Sequence, residues 1–333
     1  MSEMVDERDL AVAARGDEEG LFSRDINGQL VRLDAPTEAD YNKVVTVQID
    51  GQKVTVPLAE PLKDAQGNLV LDTEGQTTPR YTTIYDAAVA LYVKQPGDEA
   101  RIPIPTLCHQ PHMTPVAVCR LCVVQVYGEK RGKRTAERKL LPACQHQVKK
   151  DMEVFTMNAP GPDGERVRDA VKLLTELLTA DCLKPAPPPA PAEELAPFNE
   201  LKQLADKCAV KDSRFTVDPL WKSAPAAANA PPTRGPTTAA IQRGTRGLDM
   251  SSPVFIVDHT ACILCDRCSR ACGEVKNNNV IGRTGKGSTA GIGFDLNDPM
   301  GDSTCVQCGE CMVSCPTSAI TFTPLKRVRV VQA

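Results

Sequence analysis

Aromatic residues are scarce, with Phe, Trp and Tyr together making up 4% of the 333 residues. Cores built around large rings must therefore be small, and the chain needs some other means of holding its domains together. Long apolar runs are also missing. The longest, from Val254 to Val257 and from Ala87 to Val93, fall far short of the ~20 residues a membrane-spanning helix needs. Positive charge is not in excess, since 39 Lys and Arg stand against 42 Asp and Glu. That balance gives no case for a nucleic-acid partner. Residues 1–15 are acidic and lack the basic and apolar regions of a signal peptide, so the expected location is the cytoplasm, with any membrane association made through partner subunits. No P-loop or dinucleotide fingerprint occurs. Gly285-Lys286-Gly287 lies between cysteines without a strand–turn–helix context and reads as a loop.

What the chain has in quantity is cysteine, 14 in all. In a reducing compartment such a count points to metal or cluster ligation rather than to disulfides. Bound metal also contributes to folding, which fits a chain poor in aromatics. Eight of the cysteines form two near-identical runs, Cys262-x2-Cys265-x2-Cys268-x3-Cys272 and Cys305-x2-Cys308-x2-Cys311-x3-Cys315, the second followed by Pro316. Three thiolates spaced two apart wrap one face of a cubane, and the fourth must come from elsewhere. In two-cluster ferredoxins the fourth cysteine of each run ligates the other cluster. The spacing thus predicts one [4Fe–4S] cluster on Cys262, Cys265, Cys268 and Cys315, and another on Cys272, Cys305, Cys308 and Cys311. A zinc pair is the alternative, although zinc has no need of a third cysteine two residues on.

Four further cysteines follow a looser pattern, Cys108-x10-Cys119-x2-Cys122-x21-Cys144. Zinc could use the same residues, with His109, His112 and His146 nearby. The histidines read otherwise as hydrogen-bond donors to sulfur or as surface loop residues. The context favours a [2Fe–2S] cluster. Val44 to Ile49 and Lys53 to Val56 read as strands around an Asp50-Gly51 hairpin turn, Thr83 to Leu91 reads as a helix, and a cysteine loop comes next. That is the layout of a β-grasp ferredoxin.

The expected organisation is α+β. A flexible arm over 1–43 precedes a β-grasp [2Fe–2S] domain over 44–160, with a long polar insertion from Leu58 to Tyr81. Residues 161–222 form a helical region. Val167, Ala170, Val171, Leu174, Leu177 and Leu178 repeat there with helical spacing, and a second short helix covers Phe198 to Cys208. Between the two helices lies the extended spacer Lys184-Pro185-Ala186-Pro187-Pro188-Pro189-Ala190-Pro191. A linker over 223–250 leads to a bacterial-type two-cluster domain over 251–325 and a basic tail over 326–333. Lys130-Arg131-Gly132-Lys133-Arg134, with Arg138 and Lys139, is a basic cluster that serves as a solvated loop or a docking patch.

These features resemble the N-terminal part of the large iron–sulfur subunit of NADH–quinone oxidoreductase. They are equally similar to the diaphorase small subunit of NAD-reducing hydrogenases, and to the front end of iron-only hydrogenases and NAD-linked formate dehydrogenases. The residues that carry the resemblance are Cys108-His109, Cys119-Arg120-Leu121-Cys122-Val123-Val124, Ser251-Ser252-Pro253, Cys262-Ile263-Leu264-Cys265 and Cys305-Val306-Gln307-Cys308-Gly309-Glu310-Cys311. The family usually adds a cubane held by H-x3-C-x2-C-x5-C. Here Leu178 stands in the histidine's place, Pro185 in that of the second cysteine and Asn199 in that of the last, leaving Cys182 alone. That cluster is expected to be absent, and Cys182 and Cys208 to be ordinary buried thiols. Ala117 stands where the family usually has glycine.

The resemblance implies an electron-transfer subunit with no catalytic residues of its own. It would relay electrons between a flavoprotein that handles NAD(P)H and a catalytic subunit or acceptor of hydrogenase, formate dehydrogenase or quinone reductase type. The rival readings are a zinc-stabilised structural or assembly module and a free-standing ferredoxin-like carrier.

Overall fold

The computed structural model describes residues 22–24, 30–32, 40–63, 67–71, 75–77, 79–94, 101–130, 132–182, 199–210, 248–259, 261–286 and 290–322. The proline-rich spacer, most of the 223–250 linker and the basic tail lie outside them. Within the expected arm, Phe22–Arg24 (β1) and Leu30–Arg32 (β2) pair as antiparallel strands, which the polar composition of that segment did not suggest.

The hairpin read from the sequence is present. Val44–Ile49 (β3) and Gln52–Pro57 (β4) pair antiparallel around Asp50 and Gly51, whose φ values of 49° and 84° are both left-handed. Two such residues make the tight turn whose twist matches the flanking strands, and the glycine adopts it without a Cβ penalty. The Asp50 carboxylate then accepts from the amide and hydroxyl of Thr156, at 2.8 and 2.5 Å, fastening the turn to the far end of the domain. In the polar insertion, Ala59–Pro61 (β5) pairs with Pro79–Tyr81 (β6).

The expected helix runs over Ile84–Tyr92 (α1). Its start is written in the sequence: the Thr83 hydroxyl accepts from the Asp86 amide, and the Asp86 carboxylate accepts from the Thr83 amide at 2.9 Å. This reciprocal cap satisfies two of the donors a helix end leaves open. Arg80 holds the same carboxylate at 3.1 Å.

Val123–Lys130 (β7), Lys133–Ala136 (β8), Leu141–Pro142 (β9) and Glu153–Phe155 (β10) complete a mixed sheet in the order β4-β3-β10-β7-β8, with β9 on β7. β10 runs parallel to β3 and antiparallel to β7. Ile84, Ala87 and Ala88 of α1 join Val47, Ile49, Val124, Val126 and Val154 in one buried core, with no large ring among the buried members. Lys130, Lys133 and Arg134 of the basic cluster lie on the β7–β8 hairpin. There Arg134 pairs with Glu153 at 2.7 Å and stacks over the Tyr127 ring at 3.9 Å, so this residue is engaged within its own domain.

Gly161–Cys182 (α2) is longer than the periodic segment alone indicates and packs on β7 and β10. Glu200–Lys207 (α3) lies against it. The C-terminal part contains Leu248–Asp249 (β11) and Phe255–Asp258 (β12), the short helix Arg267–Arg270 (α4), and the hairpin of Ile281–Thr284 (β13) with Gly291–Phe294 (β14). Glu310–Ser314 (α5) and Ile320–Phe322 (β15) close it, with β12 central between β11 and β15. Phe255, Phe294 and Met300 are the largest buried apolar side chains of this part, and five of its cysteines (Cys268, Cys272, Cys311 and, partly buried, Cys262 and Cys305) pack among them. The architecture is α+β, as the sequence implies.

Replacing Thr83 by Ala removes the cap of α1 and should lower stability by about 1 kcal/mol. Urea denaturation of the metal-loaded chain checks this, with an unchanged iron content expected because Thr83 touches no cysteine.

Candidate metal centres

Each of the two C-terminal cysteine runs builds the same local structure. In the first, Leu264 and Asp266 have φ values of 57° and 61°. In the second, Gln307 and Gly309 have 58° and 83°. These are equivalent positions, two and four residues after the first cysteine. The left-handed residues curl the chain so that successive cysteines face inward, at a cost of about 1–2 kcal/mol for each residue bearing a Cβ. Backbone amides then point at sulfur: Leu264 donates to Cys262 Sγ and Gln307 to Cys305 Sγ, both at 3.4 Å. Short helices come next, α4 carrying Cys268 and α5 carrying Cys311.

The fourth cysteines are handled differently. A turn of π-helix, Ala271–Val275, succeeds α4 and carries Cys272, whose sulfur accepts from the Val280 amide at 3.3 Å. This wider turn redirects the chain beyond Val275. Cys315 comes at the C-terminal end of α5 in extended backbone.

Two cavities result. One is lined by Cys262, Cys265, Cys268 and Cys315, and the other by Cys272, Cys305, Cys308 and Cys311. Each holds three cysteines of one run and the fourth of the other. Burial pushes the Cys265 thiol up to about 12, reinforced by Cys315 and Cys262. Burial likewise pushes Cys311 up to about 12, reinforced by Cys305, Cys308 and Cys272. For Cys265 and Cys311, burial and the neighbouring sulfurs both disfavour the thiolate, so positive charge beside them would be needed for these two to ionise. Such donors fit iron–sulfur clusters, whose irons supply that charge.

The first loop gathers Cys108, Cys119, Cys122 and Cys144, all buried. Ala117 and Arg120 adopt left-handed φ values of 50° and 62°, so the loop closes with alanine in place of the family's glycine. Cys122 Sγ lies 3.3 Å from Cys144 Sγ. Hydrogen bonds from Cys119 and Cys144 hold Cys108 down to about 2, and Cys144 holds Cys122 low. The same contacts hold Cys119 and Cys144 high. Among the described residues, no three His, Cys, Asp or Glu side chains close on a single-ion position.

His109 is buried rather than on a surface loop. Its ring packs edge-on against Tyr85 at 5.0 Å, and burial lowers its pKa to about 4. Neither ring nitrogen has a hydrogen-bond partner among the described residues. His146 is half-buried, with its pKa also lowered by burial, and its carbonyl accepts from the Ile84 amide at 2.8 Å. No described hydrogen bond joins a histidine to a thiol.

Sequence reasoning missed what joins the sites. Leu107, Cys108, Cys119 and Leu121 share one buried cluster with Val167 and Val171 of α2, Leu201 and Leu204 of α3, and Ile263 and Cys265. Cys208 packs partly buried against it, while Cys182 ends α2 with its side chain outside the described residues. Asn199 caps α3, accepting from the Lys202 amide at 2.9 Å, and the Glu200 amide donates to the Pro316 carbonyl at 2.8 Å. Arg267, 2% exposed, pairs with Glu200 at 2.7 and 3.0 Å and donates to the His109 carbonyl at 3.3 Å.

Comparison with known proteins agrees with the resemblance read from the sequence. Residues 42–159 match the 2Fe-2S iron-sulfur cluster binding domain family, and residues 302–321 match the 4Fe-4S binding domain family. The NADP-reducing hydrogenase subunit HndD of Solidesulfovibrio fructosivorans is 29% identical over 76% of this chain and 36% of its own length. A subunit of the NADH-quinone oxidoreductase of Rhizobium meliloti is 28% identical over 68% of this chain and 21% of its own. The NADPH-Fe(3+) oxidoreductase subunit alpha of Geobacter sulfurreducens is 25% identical over 78% of this chain and 24% of its own. The chain thus spans about a third or less of these relatives. A crystal structure of an NAD+-reducing [NiFe]-hydrogenase in the H2-reduced state shares the fold, with a TM-score of 0.54 at 18% identity over 85% of this chain and 89% of that one. The chain carries a 2Fe–2S domain and a 4Fe–4S motif, and no described helix is long and apolar enough to cross a membrane.

Because burial keeps Cys265, Cys268 and Cys311 protonated, bound metal must displace those protons. Iron uptake by the apo chain should therefore weaken as pH falls, by about tenfold per pH unit for each thiol displaced below its pKa. Reconstitution followed by visible absorbance across pH checks the sign.

Proposed function

We propose that this chain is an electron-transfer subunit of a multisubunit oxidoreductase. Its β-grasp domain holds one [2Fe–2S] cluster on Cys108, Cys119, Cys122 and Cys144. Its C-terminal two-cluster domain holds one [4Fe–4S] cluster on Cys262, Cys265, Cys268 and Cys315, and a second on Cys272, Cys305, Cys308 and Cys311. The observation that carries this reading is the exchange of fourth cysteines between the two cavities. Zinc sites have no use for that exchange, whereas a two-cluster ferredoxin depends on it.

The clusters supply one-electron chemistry, and the chain supplies burial, orientation and hydrogen bonds to sulfur. Cys265 and Cys268 are buried, whereas Cys308 is exposed and lines its cavity together with the exposed Val306. Cys262 and Cys315 of the first set and Cys305 of the second are intermediate, so the exposed Cys308 makes the second [4Fe–4S] centre the more open of the two to a redox partner. The relatives' names are those of subunits of NAD(P)-linked oxidoreductases, and the partners proposed from that are an NAD(P)H-handling flavoprotein and a catalytic subunit. The middle region is proposed to hold no cluster, because Leu178, Pro185 and Asn199 stand where the family's motif has ligands.

An anaerobic preparation should be brown and carry about ten irons per chain, two in the first centre and four in each of the others. A colourless protein with about three zincs would end the reading. About fourteen irons would restore the middle cluster. Cys315→Ala and Cys272→Ala, made singly, should each perturb a different [4Fe–4S] signal in EPR. Under uncrossed ligation, Cys315→Ala would instead disturb the centre on Cys305, Cys308 and Cys311.

A further inference from the structure

The loop of Cys108 and the run of Cys262 to Cys272 come from distant parts of the chain, yet one side chain touches the backbone of both. Arg270, 7% exposed, donates from Nη2 to the Cys108 carbonyl and, at 3.5 Å, to the Cys265 carbonyl. Its Nη1 donates to the Thr114 carbonyl at 2.9 Å. The Thr114 amide donates in turn to Glu274 Oε2 at 2.8 Å, so one short segment grips both the amide and the carbonyl of Thr114.

The electrostatics of Arg270 are unusual. Arg267, one turn earlier, is buried in the ordinary way, with the Glu200 carboxylate across its fork. Among the described residues the Arg270 guanidinium is hydrogen-bonded to carbonyl oxygens and not to a carboxylate; its Nε, like that of Arg267, has no partner. An unpaired buried cation is costly and calls for nearby negative charge. The two groups of cysteines on either side, once they are thiolates around iron, carry it.

We propose that Arg270 is a positioning residue that docks the first cysteine loop on the C-terminal run and sets the potentials of the centres on both sides. The inference rests on the cluster assignment above. Carbonyls of two ligand residues, Cys108 and Cys265, meet on one guanidinium, which fixes the spacing of the two centres. The fixed positive charge sits where burial weakens dielectric screening, and it favours the more negative, reduced state of each neighbouring centre. The transfer it serves moves one electron, one centre being oxidised as the other is reduced, with no bond or proton exchanged.

The test is a redox titration of the metal-loaded chain followed by EPR, on wild type, Arg270→Gln and Arg270→Lys, with iron counted in each. Arg270→Gln should keep its iron and lower the equilibrium constant for reducing the two adjacent centres by about tenfold, or about 59 mV for a one-electron couple. Arg270→Lys, which keeps the charge, should stay near wild type. Full iron with unshifted potentials in Arg270→Gln overturns the proposal. If Arg270→Gln does not assemble, Arg270→Lys decides: potentials near wild type support it, and a tenfold shift despite the retained charge overturns it. A wild-type chain without iron signals would instead overturn the cluster assignment, a separate failure.

Discussion

A run of three cysteines spaced two apart covers one face of a cubane and cannot close around it. On the proposed reading the fourth thiolate is borrowed from the other run, and much of the C-terminal architecture follows from that constraint. Each run ends in a cysteine that lines the other's cavity, which on the proposed reading ties the folding of one run to that of the other. The π-turn under Cys272 and the extended backbone at Cys315 are local departures from helix at the two residues that change sides. With only Phe255 and Phe294 as large buried rings in this part, the cysteines themselves are core residues, and on the proposed reading inorganic sulfur and iron complete the packing.

The same economy runs through the rest of the chain. The buried sheet core is mostly Val, Ile and Ala, with Met152, Cys122 and Cys144, and α1 packs on it through Ile84, Ala87 and Ala88. What joins the parts is polar and specific: two buried arginines from α4, one on Glu200 and the His109 carbonyl, the other on the carbonyls of Cys108 and Thr114. The middle helices are wedged between the cysteine loops by Leu201, Leu204, Val167 and Val171. Asn199 and Glu200, in the tail of what the family uses as a cluster motif, are recruited here to cap a helix and to pair with Arg267.

Local features were legible in the sequence because local chemistry sets them. Asp50-Gly51 between two β-branched runs fixes a hairpin, and Thr83 three residues before Asp86 starts a helix. Cysteine spacing carries its own geometry, repeated as left-handed turns at Leu264 and Gln307. The contacts that join the parts were not legible. Arg270 meets Cys108 across 162 residues and Arg267 meets His109 across 158, and no periodic pattern encodes either. The burial of His109 was missed for the same reason: a loop histidine beside a cysteine gives no sign that Tyr85 will pack on it. The β1–β2 pair was missed because it is set in a polar segment without strand alternation.

The central claim is that the last eight cysteines hold two cubanes with exchanged fourth ligands. Anomalous diffraction at the iron edge, on crystals grown anaerobically, tests it most directly. The account predicts two four-iron peaks in the C-terminal part, one touching Cys262, Cys265, Cys268 and Cys315 and the other Cys272, Cys305, Cys308 and Cys311. Single-metal peaks, or Cys315 bound to the same cluster as Cys305, Cys308 and Cys311, would contradict it.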